Sequence, residues 1–301
     1  MSLARVAAAA GRSAALPLVL SVSAIDLDAA HGTDGTGDSD CTDGTDSAGT
    51  DRIGFHDEVV LPVASTAKLL LLAEIARRLD TGELHGDKTV DVLPEDRAGG
   101  TGLLGRLGRT GWTVEDLCWL TASVSDNTAT NALLRLVGRD ATARLAERLA
   151  LRDLTLHDSV RDVRGPGLPP VFATGTARDL ARLVAHAARG TMVSAGASAR
   201  LLQWMRANTD HGLVPALVAH DPYAPGFPAP APGALLIANK TGTDTGVRAD
   251  VGLLIGTRRL AYAVVAHWDT ALGASTERAA VHALRDVGRT LADCAMPPDH
   301  V

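Results

Sequence analysis

The chain has 301 residues, 46% of them apolar, and a formal net charge of −6. That length can bury a large core, in one domain or in two intimate lobes. The slight acidic excess argues against a nucleic-acid partner, which would want a basic face, and no apolar run reaches the roughly 20 residues of a membrane-spanning helix.

The first 24 residues admit two readings. Arg5 and Arg12, the mostly apolar run Ala14–Leu20 and then Ser-Val-Ser-Ala match a secretory signal with a small-residue cleavage site. Leu18–Leu27, just after Pro17, also has the composition of a buried strand, and cleavage after Ala24 would remove most of it. The favoured expectation is an uncleaved cytoplasmic protein; a secreted one follows if residues 1–24 are a signal peptide. Residues 28–51 are almost entirely Gly, Asp, Thr, Ser and Ala with no large apolar side chain. Burial there cannot offset ordering entropy, so a disordered insert between two strands is expected. Its aspartates lack the repeated ligand spacing of a calcium loop.

Arg52–Val63 reads as a strand and turn leading to Ser65. Thr66–Arg78 is predicted helical, stopped by Asp80-Thr81-Gly82, and its block Leu69–Leu72 covers the helix all round, as an interior helix requires. Thr113 followed by Asp116 marks the start of a helix running to about Ala122. Further helices are expected at about 128–137, 140–150, 176–188 and 197–206, and Asp221–Gly233 is a Pro-rich loop. The period then changes: Ala234–Asn239, Ala249–Ile255 and Leu260–His267 read as an antiparallel meander, and Thr276–Cys294 as a closing amphipathic helix. This order implies an α/β fold whose N- and C-terminal pieces share one sheet. The α/β lobe would span about 1–64 and 207–301, and a helical lobe about 65–206. The cysteines Cys41, Cys118 and Cys294 are odd in number and lack metal-ligand spacing, so unpaired thiols in a reducing compartment are expected.

Only three lysines occur, Lys68, Lys88 and Lys240, among 29 basic residues. Arginine stays protonated, whereas lysine becomes a base when its pKa is lowered. Lys68 closes Ser65-Thr66-Ala67-Lys68, and residues three apart on a helix share a face, so its amine can reach the Ser65 hydroxyl. A helix start also offers free N–H groups and a positive dipole end to developing negative charge. Alone the pattern is weak, arising by chance roughly one time in eight, and is equally that of a surface lysine after a helix cap. Lys240-Thr241-Gly242, at the end of a predicted strand, is rarer, although a polar hairpin turn would produce it too. Ser125-Asp126-Asn127 uses one of only four asparagines and also suits a helix-to-helix turn.

Taken in order, Ser-x-x-Lys, Ser-Asp-Asn and Lys-Thr-Gly resemble the motif set of class A β-lactamases and penicillin-binding proteins. Ser125–Leu136, Leu201–Met205 and the strand after Lys240 extend the likeness, which runs from about Leu18 to Ala292, broken by the 28–51 insert and the Pro-rich loop. The resemblance implies the β-lactamase/transpeptidase-like fold: an antiparallel sheet flanked by N- and C-terminal helices, plus an all-helical lobe. It implies Ser65 as nucleophile, Lys68 as acylation base and Ser125 as proton relay to the leaving nitrogen. The backbone N–H groups of Ser65 and Thr243 would hold the oxyanion. Asn127 would bind a substrate amide. Lys240 and Thr241, followed by Gly242, would bind a substrate carboxylate, with Arg248 assisting. Asp126 would be buried and structural.

One part is missing. The family's deacylating glutamate sits in an E-x-x-L-N motif, and the matching region, about Leu151–Pro170, has no glutamate; none occurs between Glu147 and Glu277. Asp158 and Asp162 lie there, but an aspartate is one methylene shorter, and both read as solvated loop carboxylates beside Arg161 and Arg164. The expected function is therefore a β-lactamase-like serine hydrolase acting on a β-lactam or related amide or ester with slow or unusual deacylation. The alternatives are a peptidase, esterase or acyltransferase on another substrate, and a covalent β-lactam-binding protein with very slow turnover. A small-molecule substrate, no cofactor, no metal, no nucleic-acid or membrane partner and a monomeric state complete the expectation.

Overall fold

The computed structural model describes residues 2–29, 52–218 and 235–296. All of the expected 28–51 insert except Asp28 and Ala29, and the whole of the Asp221–Gly233 loop, lie outside these residues. The chain opens with α1 (Ala4–Gly11), β1 (Val19–Asp26), β2 (Arg52–Phe55) and β3 (Leu61–Pro62), then a 3-10 turn at Ala64–Ala67 running into α2 (Lys68–Asp80). The middle comprises β4 (Thr89–Asp91), β5 (Gly111–Thr113), α3 (Val114–Ser123), α4 (Asn127–Val137), α5 (Arg139–Arg148), β6 (Thr155–Leu156), β7 (Ala173–Gly175), α6 (Ala177–Arg189) and α7 (Ala195–Arg206). It ends with β8 (Leu236–Asp244), β9 (Val247–Ile255), β10 (Arg259–His267) and α8 (Ala274–Ala295).

Five strands form one antiparallel sheet in the order β2-β1-β10-β9-β8, so the N-terminal strand pair joins the C-terminal meander edge to edge. Period-two alternation sorts its side chains between two cores. Ala249, Val251, Leu253, Ala261, Ala263 and Val265 face the helical middle, and Leu254, Leu260, Tyr262, Val264 and Ala266 face α1 and α8. The architecture is the β-lactamase/transpeptidase-like one anticipated, with terminal helices on one face and the helical middle on the other.

Local chemistry starts the helices where the sequence places them. Thr113 accepts a hydrogen bond from Asp116 N at 3.0 Å, Thr176 from Asp179 N at 3.1 Å and Ser194 from Ala197 N at 2.9 Å. Each cap satisfies a donor that the helix itself leaves open and contributes about 1 kcal/mol. Leu69–Leu72 on α2 are fully buried, which makes α2 the axis of the helical core.

Residues before β1 form α1, the N-terminal helix that the resemblance implies; its Leu3, Val6, Ala9 and Ala10 join the core under α8, and Ala14–Leu20 leads by a turn into β1. Two features depart from the sequence expectation. β8 continues through Lys240-Thr241-Gly242 to Asp244, so that motif lies within a strand. The small pairings β3-β7-β6 and β4-β5, built from strands of two or three residues, carry no periodicity to read. Cys118 and Cys294 are free and sit in different cores, while Cys41 lies outside the described residues. No helix among the described residues is long and apolar enough to cross a membrane.

Candidate active site

Ser65 is the second residue of the 3-10 turn and is half-buried. The leading N–H groups of such a turn have no carbonyl one turn back, so they are available to a ligand. The residue before it, Ala64, is held at φ +48°, a conformation non-glycine residues adopt at a cost. Lys68, the first residue of α2, is completely buried. Its Nζ donates to Ser125 O at 2.7 Å, Asn127 Oδ1 at 2.7 Å and Ser125 Oγ at 3.2 Å. All three acceptors are neutral. Burial, reinforced by the charge of Lys240 and opposed by Asp126, holds the Lys68 pKa well below that of a free lysine.

Ser125, Asp126 and Asn127 join α3 to α4, the helix-to-helix turn that their composition suits. Ser125 has φ +55°, the second strained non-glycine residue of the site. Asp126 is buried and holds its surroundings together: Oδ2 accepts from Leu103 N at 2.6 Å and Leu104 N at 2.7 Å, and Oδ1 from Ala129 N at 2.9 Å. A Cβ at Gly102 would lie 2.4 Å from the Asp126 carboxyl carbon, so only glycine lets this loop close. Asn127 Oδ1 also accepts from Thr101 Oγ1 at 3.3 Å, and Nδ2 donates to Gly99 O at 2.6 Å.

β8 is one of the two edge strands of the sheet and lies against the turn that carries Ser65. Gly242 makes the approach possible: a Cβ there would meet Val63 O at 2.7 Å and Thr66 N at 3.1 Å. Lys240 is completely buried, with Nζ donating to Thr241 O at 2.7 Å. Burial brings its pKa down to about 8, against the pull of Asp210 and Asp250.

A cavity of about 150 Å³ is lined by Ser65, Ser125, Thr241 and Thr243, together with Thr209 and Asp210. Lys68 reaches it through Ser125, Asn127 is held to Lys68 Nζ, and Lys240 stands behind Thr241. Arg248 is not on its wall. That guanidinium donates to Asp244 O at 3.0 Å and Val247 O at 2.7 Å, pairs with Glu277 and lies over Trp268.

Sequence reasoning missed two participants. Asp210 Oδ2 accepts the Thr241 hydroxyl at 2.7 Å and Oδ1 accepts Gly212 N at 3.1 Å, putting a carboxylate on the cavity wall. Asn208 Nδ2 donates to Asn239 Oδ1 at 2.8 Å, and Asn239 Nδ2 to Asp250 Oδ1 at 3.0 Å, where Tyr262 OH also donates at 3.0 Å. Burial raises the Asp250 pKa to about 7. Two of the chain's four asparagines close this buried bridge behind the Lys240 strand, and their scarcity was the only available signal.

The loop matching the absent glutamate is held by its aspartates. Asp158 is buried, contrary to its reading as a solvated carboxylate, and accepts from Arg161 Nε at 2.6 Å, Arg164 NH1 at 2.9 Å and Ser159 N at 2.8 Å. These donors, the Arg161 hydrogen bond first, bring its pKa down to about 2. Asp162 Oδ1 accepts from Gly99 N at 2.6 Å.

A family model described as the beta-lactamase enzyme family matches residues 42–295. The beta-lactamase regulatory protein BlaB of Streptomyces cacaoi is 29% identical over 190 residues, 61% of this chain and 58% of that protein. The match thus spans less than two thirds of that relative's length. Among solved structures, a beta-lactamase from Sphaerobacter thermophilus superposes with a TM-score of 0.79 at 25% identity, covering 99% of this chain and 100% of that one. PBP-A superposes with a TM-score of 0.76 at 21% identity, covering 97% and 96%, a likeness of fold.

Proposed function

The chain belongs to the beta-lactamase enzyme family, and from that premise we propose that it is a serine hydrolase that forms an acyl-enzyme at Ser65 with a β-lactam or related amide or ester. The Ser65 Oγ–H proton passes to neutral Lys68 Nζ as Oγ bonds to the carbonyl carbon. The resulting oxyanion is held by the backbone N–H groups of Ser65 and Thr243, in a site where such donors need no reorganisation. Collapse breaks the bond to the leaving nitrogen or oxygen, which takes a proton from Ser125, and Lys68 returns one to Ser125. Lys240 acts through its charge, which lowers the Lys68 pKa further. Water then cleaves the ester and restores Ser65, a step that no glutamate assists.

The observation that carries this reading is the state of Lys68: fully buried, bonded only to neutral acceptors and one helical turn from Ser65. Burial lowers the pKa of a lysine so placed, which brings it closer to acting as a base. Ser65→Ala should abolish covalent labelling by a fluorophosphonate or penicillin while leaving thermal unfolding nearly unchanged. A mutant that still labels at equal stoichiometry refutes the assignment.

A second reading is a covalent β-lactam-binding protein that turns over very slowly, supported by the missing glutamate and by the likeness to a regulatory protein. A cytoplasmic address belongs to the same proposal, because cleavage after Ala24 would remove α1 and most of β1, the strand between β2 and β10.

A further inference from the structure

Asp210 is the single charged residue on the wall of the Ser65 cavity among the described residues. It is exposed, whereas the nearest cation on the same strand edge, Lys240, is wholly buried with its Nζ on Thr241 O. The Thr241 hydroxyl has one proton to donate, and it is given to Asp210 Oδ2 at 2.7 Å. Arg248 lies opposite Thr243 across the β8–β9 ladder and shares its face, but its guanidinium closes on Glu277 of α8 and is not on the cavity wall. Arg285 reaches only the far end of the Asp210 turn, donating to Gly212 O at 3.0 Å, and Asp250 lies buried beneath the same segment. A ligand entering beside Ser65 therefore meets a carboxylate and a hydroxyl already in use.

We infer that the subsite next to Thr241 selects a neutral or cationic substituent on the leaving-group side of the scissile bond, and rejects a carboxylate, with Asp210 as the residue that decides. The inference rests on the acyl-enzyme reading and departs from it in one respect. The carboxylate recognition that the family resemblance implies for Lys240, Thr241 and Arg248 is replaced by its opposite. An ammonium would sit against Asp210 without displacing the Thr241 hydrogen bond. A carboxylate would face Asp210 across a few ångströms, where like charges repel.

The test compares three forms of one lactam: benzylpenicillin, its methyl ester and its aminoethyl amide. The second-order rate of Ser65 acylation is measured by intact mass at pH 7. The aminoethyl amide should react fastest and the free acid slowest. Asp210→Asn, which keeps an oxygen acceptor for Thr241, should speed the acid by about 10- to 100-fold and slow the amide. Raising salt on the unmodified protein should narrow the spread, a check that needs no variant. If the acid reacts fastest in the unmodified protein, or if Asp210→Asn changes neither order nor rates, the inference is wrong while the acyl-enzyme reading stands. If none of the three forms an adduct, both fall.

Discussion

Two lysines of the same type are set to different tasks by their neighbours. Lys68 is buried among neutral acceptors, so the work of desolvating it is not repaid by an ion pair and its pKa is held well below that of a free lysine. Lys68→Arg keeps the charge but removes the base, and acylation should fall by about 10²- to 10⁴-fold. Lys240→Arg should be milder. Lys240→Met tests the coupling between them. Its cation lowers the Lys68 pKa, so removing it raises that pKa and shifts the acid limb of the acylation rate to higher pH. The unmodified protein should also show a basic limb near pH 8, where Lys240 loses its proton, and Lys240→Arg should abolish that limb. Unchanged limbs in both variants would show that the Lys240 charge plays no part.

At the scale of elements, the site depends on β8 lying against the Ser65 turn. Gly242→Ala places a methyl 2.7 Å from Val63 O, and relief requires the strand edge to move off the oxyanion donors. Acylation should drop by at least 10-fold with a stability loss of about 1–3 kcal/mol; full activity would mean that the donors lie elsewhere. The loop after β6 is held by Asp158 between Arg161 and Arg164. Its carboxyl pKa is lowered on folding, so its stabilisation is present above the unfolded value near 3.8 and fades as pH falls towards 2. Asp158→Asn should therefore destabilise by about 1–3 kcal/mol at pH 7, measured in urea, with the difference shrinking in acid. The N-terminus makes a third element-scale case. β1 pairs with β10 over Val19–Asp26 and with β2 over Val22–Ile25, so a form starting at Ile25 should fail to fold. Recovery of such a form from a secreted fraction of the host would overturn the cytoplasmic proposal.

For the whole molecule, much of this was legible because the signals were local. Thr113 with Asp116 marks a cap within one turn of chain, and Leu69–Leu72 announces an interior helix without reference to any partner. The motif residues were found the same way, and the chain folds Ser65, Ser125, Thr241 and Thr243 onto one cavity from three distant segments. What stayed hidden depends on register or on pairs far apart. Arg248 reads as a substrate residue until its guanidinium is seen paired with Glu277, 29 positions on. Asp210 gains its meaning only from Thr241, 31 positions away. α1 is short and alanine-rich, and its apolar face becomes evident only against α8.

The central claim is that acylation is equipped and deacylation is not. Ser65, Lys68 and Ser125 suffice for the first step, whereas the second needs a water held and deprotonated, and no glutamate lies between 148 and 276. Asp158 is committed to two arginines, and Asp162 accepts Gly99 N on Oδ1, so neither stands as the family's glutamate does. General-base help is worth about 10²- to 10⁴-fold, so the two steps should separate by about that factor. The most direct measurement is time-resolved intact mass on mixing with a penicillin amide, in the unmodified protein and in Asp158→Asn and Asp162→Asn. The account predicts a burst of one acyl group per chain at Ser65, then decay slower by about 10²-fold or more and nearly the same in all three proteins. Rapid burst-free turnover, or a large fall in deacylation on replacing either aspartate, would contradict it.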